Sequence, residues 1–153
     1  MIFDYLVKDV IGSGYFSETL LVEKVGGVNN GSRYVAKYFA KRALQQDHIE
    51  LEVIENEKRI FEEVKDGPFF NKIVEFVENH EKALIVLHYL PFPNLTRLLR
   101  KRLFSQNQAK FYASEIIVAL EYLHKNNIVH YDIKPDSIGL DGDGHVVIMD
   151  FGL

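Results

Sequence analysis

Pro91-Phe92-Pro93-Asn94 divides this chain into two stretches of unlike periodicity. Two prolines so close together fix φ and remove two backbone donors, so neither a helix nor a central strand runs through them. Before that point the pattern is mostly strand, with one helix. Residues 5–11, 19–25 and 34–40 are short apolar runs. Gly12-Ser13-Gly14 interrupts the first, and a Gly- and Asn-rich turn over 26–31 closes the second. The three suit an antiparallel meander. Residues 45–65 read as a helix, with Val53, Ile60, Phe61 and Val64 in one stripe and Glu57 inside it. Residues 73–77 and 83–89 are two further strands around the turn Asn79-His80-Glu81-Lys82.

Beyond the prolines the pattern turns helical. Residues 95–102 suit a short helix. Ser105-Gln106-Asn107-Gln108 is a capping box that opens a long amphipathic helix, reaching about residue 126. Tyr112, Ala113, Ile116, Ile117, Leu120 and Leu123 make its expected apolar face. Residues 138–140 and 146–149 read as a hairpin around Asp141-Gly142-Asp143-Gly144. The expected class is α+β, with a strand-rich part over 1–90 and a helical part over 91–153.

Composition removes several classes of function. With 153 residues, 47% of them hydrophobic, the chain can bury a real core. A net charge of −4, from 18 basic and 22 acidic residues, argues against a nucleic-acid binder that works by bulk charge. Cysteine is absent, which excludes disulfides and thiolate metal sites within this sequence. No apolar run reaches the roughly 18 residues of a membrane span, and the first residues lack a secretory pattern. The expectation is a cytoplasmic or nuclear protein without a membrane partner.

A few charged residues sit where packing alone does not explain them. Gly12-x-Gly14 lies between two strands, so it is neither a P-loop nor a dinucleotide fingerprint, in which the glycines open a helix. A plain tight hairpin and a glycine flap over phosphates both fit it. Lys37 sits in an apolar strand, and an edge lysine reaching water is one account of it. Glu57, on an apolar helical stripe, is costly unless paired or solvated. A pairing of the two would explain both positions. Asp132 follows His130-Tyr131 in a loop, with Lys134-Pro135 just beyond and Asp150-Phe151-Gly152-Leu153 further on. A general base needs a carboxylate near the attacking hydroxyl, and a solvated loop aspartate is the plain alternative for Asp132. The Asp141–Gly144 run does not fit a calcium loop, because the first ligand position would fall on Gly139.

Together these motifs resemble the N-lobe and the first part of the C-lobe of eukaryotic protein kinases, over essentially the whole chain. Phe111-Tyr112-Ala113, Glu115-Ile116, Ala119-Leu120-Glu121-Tyr122-Leu123-His124 and Gly144-His145 look like the AGC group of serine/threonine kinases. The turn before Lys37 and Leu87-His88-Tyr89 look most like the ribosomal-protein and mitogen-and-stress-activated kinases. The resemblance implies a five-stranded antiparallel sheet with one helix, then a partial helical lobe ending at the Asp-Phe-Gly motif. It implies an ATP-dependent serine/threonine protein kinase that uses magnesium. Asp132 would be the base, with Lys134 assisting, and Asp150 and Ser137 would hold metal. Ile11, Gly12, Gly14, Thr19, Val35, Lys37, Glu57, Leu87 and Tyr89 would serve the nucleotide. Phe61, Ile73, His130 and Phe151 would form a hydrophobic stack.

Several positions depart from the family pattern. Ser17 replaces the third flap glycine, and Thr19 the valine after it. Val35 replaces the alanine above adenine, and Gly139 the leucine below it. Tyr131 replaces an arginine, and Ser137 replaces a metal-binding asparagine. These departures leave a pseudokinase-like binding module, or a degenerate copy, as alternatives. The protein substrate is unassigned. Nothing matches the activation loop or the Ala-Pro-Glu segment. The expectations are therefore a fragment, no protein phosphorylation by this chain alone, and association through an exposed long helix.

Overall fold

The computed structural model describes residues 1–14, 17–46 and 51–151. Five strands form one antiparallel sheet: β1 (Tyr5–Ser13), β2 (Glu18–Lys24), β3 (Arg33–Ala40), β4 (Ile73–Glu78) and β5 (Lys82–His88). Their order is β1-β2-β3-β5-β4, and every neighbouring pair is antiparallel. β1 runs on through Gly12 and Ser13, where the sequence pattern placed a break. Backbone pairing persists there because Gly12 still faces Thr19 across the ladder.

Strand alternation sends successive side chains to opposite faces. One face carries Leu20, Val22, Tyr34, Ala36, Leu84 and Val86, which with Tyr5 form a buried core. Tyr5 adds a polar tip: its hydroxyl donates to Glu75 Oε2 at 2.8 Å, and Lys24 Nζ lies 3.1 Å from the same oxygen. The opposite face carries Thr19, Val35, Lys37, Ile85 and Leu87, in register across β2, β3 and β5.

Two helical segments replace the single helix expected over 45–65. They are α1 (Lys41–Gln46) and α2 (Glu52–Val64); residues 47–50 of the expected helix lie outside the described residues. Ion pairs Lys41–Glu78 and Arg42–Glu81 join α1 to the β4–β5 turn. In α2, Ile54, Glu57, Ile60, Phe61 and Val64 are buried.

By contacts the chain divides into two units. One is Met1–Arg59 with Lys72–Tyr89; the other is Ile60–Asn71 with the chain from Leu90 onward. The second unit contains α3 (Leu95–Lys101), α4 (Gln106–Lys125) and the hairpin β6 (Ile138–Leu140) and β7 (Val146–Ile148). Asn94 caps α3, accepting from Arg97 N–H at 3.1 Å. Ser105 and Gln108 form the expected capping box of α4.

The core of this unit is Leu95, Ile138, Leu140 and Val146, with Phe69, Leu98, Phe104, Tyr112 and Ile116 against it. The 60–71 segment joins it through β7. Ile148 N–H donates to Phe69 O at 2.7 Å, and Asn71 N–H to Ile148 O at 2.9 Å. Gly67 is needed for close approach, since a Cβ there would come within 2.6 Å of the Tyr122 ring. Among the described residues, no helix is long and apolar enough to cross a membrane.

The buried face of α4 is rotated from the expected one. Glu115, Ala119 and Leu123 are buried, whereas Ala113 is exposed and Ile117 is 65% exposed. Glu115 lies centrally in that face because its carboxylate is satisfied. Val146 N–H donates to Oε2 at 2.9 Å, and His145 Nδ1 lies 2.5 Å from Oε1. Ile117, Leu120, Glu121, His124 and Lys125 line an open apolar groove on the helix's outer side.

Candidate active site

In the first unit, the residues singled out from the sequence gather on one sheet face. Gly12 faces Thr19, Thr19 faces Lys37, and Lys37 faces Ile85. Two residues along β3, Val35 faces Leu87. Ile11 is on β1 and Tyr89 follows β5, both partly exposed. Gly14 N–H donates to Ser17 O at 2.8 Å, which closes the β1–β2 connection. Tyr15 and Phe16 lie outside the described residues.

The Lys37 ammonium pairs with the Glu57 carboxylate. Their side chains are only 11% and 7% exposed. Neither charge is stable alone at such burial, and pairing offsets their desolvation. The apolar strand position and the apolar helical stripe are thereby accounted for together.

In the second unit, the loop from His130 to Ser137 is built from short backbone bonds. Asp132 N–H donates to His130 O at 2.9 Å, closing a γ-turn centred on Tyr131. Tyr131 accordingly has φ 63, an uncommon conformation for a bulky side chain, and is well exposed. Asp132 N–H also reaches His130 Nδ1 at 3.3 Å. The exposed Asp132 and Lys134 side chains form an ion pair. This hydrogen bond raises the Lys134 pKa from its ordinary value. Burial pushes the His130 imidazole down, against the opposing pull of Asp150 and Asp132.

Ser137 ends the 3-10 turn Pro135–Ser137 and is buried at 3% exposure. Its Oγ accepts from Lys134 N–H at 3.2 Å. The hydroxyl proton has Lys134 O at 2.9 Å and Asp132 O at 3.3 Å as acceptors. Ser137 O accepts from Met149 N–H at 2.9 Å, which ties the loop to the residue before Asp150.

Phe151 is buried among rings. Phe61 meets it edge-on at 5.1 Å between centroids, His130 lies at 5.2 Å and Phe70 at 5.8 Å. Phe70 and its neighbour Tyr122, 5.8 Å apart, were missed in the sequence pattern. Phe70 follows Gly67-Pro68, and no periodicity marks it. Ile73 belongs to β4 in the other unit. Gly152 and Leu153 of the Asp-Phe-Gly-Leu motif lie outside the described residues. Gly139 is buried, and the space a side chain would take is filled by Leu90 Cδ1 at 2.7 Å and Met149 Sδ at 2.8 Å.

A family profile described as Protein kinase domain matches residues 5–153. The chain belongs to the protein kinase domain family. It is 35% identical to ribosomal protein S6 kinase beta of Caenorhabditis elegans, over 98% of this chain and 27% of that protein. It is 32% identical to ribosomal protein S6 kinase alpha-4 of Mus musculus, over 98% of this chain and 20% of that protein. Protein kinase C zeta type of Oryctolagus cuniculus is 31% identical, over 98% of this chain and 25% of that protein. This kinase chain therefore spans about a fifth to a quarter of the length of these relatives. These relatives are, by name, ribosomal protein S6 kinases and a protein kinase C.

Proposed function

We propose that this chain carries the nucleotide- and metal-handling residues of an ATP-dependent serine/threonine protein kinase. The observation that supports this most is the buried Lys37–Glu57 pair. A buried ion pair is weak evidence for stability, and burial with a specific charge partner marks a functional-site candidate. In this reading Lys37, held by Glu57, binds nucleotide phosphates. Gly12 and Gly14 bring backbone close to them, with Ile11 and Thr19 alongside. Val35, Leu87 and Tyr89 serve the base. Asp132 accepts the proton of the attacking hydroxyl, and Lys134 neutralises charge on the transferring group.

Asp150 would hold magnesium. Bound there, magnesium would supply charge neutralisation for the phosphates. Asp150 suits a hard cation, being an oxygen donor that is neither fully buried nor fully exposed. Ser137 suits it less, because its hydroxyl already serves two backbone groups. The same observation favours a second reading, a module that binds nucleotide without turning it over.

Since this chain alone is not expected to phosphorylate protein, thermal shift with ATP, with and without magnesium, separates the two. The first reading predicts a shift that needs magnesium and is lost in Asp150→Asn. A shift that persists without magnesium would establish the second.

A further inference from the structure

We propose that Ser137 is a positioning residue for the Asp132–Lys134 loop and supplies no oxygen to a metal ion, so that magnesium is held through Asp150 without it. This rests on the reading of the chain as a nucleotide-binding kinase. Burial and the loop's hydrogen bonds leave the Ser137 hydroxyl little to offer a metal. A hydroxyl has a single oxygen, one proton and two lone pairs. In Ser137 the proton is directed at Lys134 O, with Asp132 O as the alternative acceptor. One lone pair takes the Lys134 N–H. The residue is buried, and its own carbonyl is engaged by Met149 N–H. The side-chain hydrogen bonds of Ser137 thus go to the backbone of Lys134 and Asp132.

Magnesium demands near-ideal octahedral geometry with short oxygen contacts and gives up water reluctantly. To join such a shell, Ser137 would have to offer its one remaining lone pair from a buried position, on the atom whose bonds already shape the loop. An asparagine is not caught in this conflict. Its amide nitrogen can donate to the loop while its separate oxygen faces a metal. Serine must use one atom for both tasks, and here that buried atom keeps a single lone pair beside its two loop bonds. No other cluster compensates: among the described residues, no group of three or more His, Cys, Asp or Glu side chains could hold a metal.

The consequence is a particular magnesium dependence. ATP affinity should rise only until the nucleotide itself is saturated with magnesium, and then stay level. Calorimetric titration of ATP at increasing free magnesium measures this without any turnover. The parent should show a plateau. Ser137→Ala should show the same dependence on magnesium, since no metal ligand is lost. Ser137→Asn should tighten about tenfold beyond the plateau, the scale on which metal-site changes act.

Continued tightening of the parent beyond saturation would overturn the proposal, as would a weaker magnesium dependence in Ser137→Ala. Should Ser137→Ala fail to fold, the parent and Ser137→Asn still decide the matter. A parent that binds no ATP at any magnesium concentration would overturn the kinase reading, and the single-ligand metal site with it. That outcome differs from binding with the wrong metal dependence.

Discussion

At 7% side-chain exposure the Glu57 carboxylate keeps its charge only against a cation, and Lys37 provides it. Removing one member of such a pair strands the other in a poorly hydrated place. Glu57→Ala should therefore destabilise the chain by about 3–5 kcal/mol, far more than an exposed pair would. Urea unfolding of parent and variant checks this; a loss below about 1 kcal/mol, the range of exposed pairs, would show that the pair is effectively solvated. This pairing was legible in the sequence, because each residue was out of place on its own element and each explained the other. Ser137 was not legible in the same way. A serine in place of an asparagine could be read as a poorer metal ligand, but its bonds to Lys134 and Asp132 are backbone contacts that no residue type announces.

For elements, α4 shows where reading by apolar periodicity goes astray. Counting only apolar residues drew the buried stripe towards Ala113, Ile117 and Leu120. The real face centres on Glu115, which that count treats as polar, whereas its oxygens are satisfied by the β6–β7 hairpin. His145 also sits beside the Phe111 and Phe69 rings, at 5.7 and 6.4 Å, with Asp141 and Asp143 in its own turn. Its hydrogen bond to Glu115, then the charge there, raises the His145 pKa above 6.5. A His whose folded value is raised adds stability that is complete below pH 6.5 and is lost as pH climbs through the raised value. The thermal midpoint should accordingly fall with rising pH over that window, and His145→Gln should flatten the fall. Identical profiles for parent and variant would show that the pair carries no charge coupling. Asp141 prepares this contact, since its Oδ1 accepts from Asp143 N–H at 3.0 Å and His145 N–H at 2.9 Å.

For the whole molecule, the α+β class and the five strand segments were legible because apolar runs and turn residues agree along the first ninety or so residues, while their union in one sheet was implied by the resemblance. The sheet order and the face shared by Thr19, Val35, Lys37 and Leu87 follow from register. The grouping of Ile60–Asn71 with the later chain was not legible. It depends on Phe61 and Phe70 meeting Phe151 and on Asn71 bonding to Ile148, contacts far apart in sequence. Gly139 gives a similar lesson: the sequence suggests a missing apolar floor, while Leu90 and Met149 occupy that space.

Calorimetric titration with ATP, with magnesium and then with chelator in its place, tests the proposed handling of ATP through magnesium by this protein kinase chain. Saturable binding is expected with magnesium, and loss of at least about a decade of affinity, roughly 1.4 kcal/mol, without it. No binding in either condition, or equal binding in both, would contradict it.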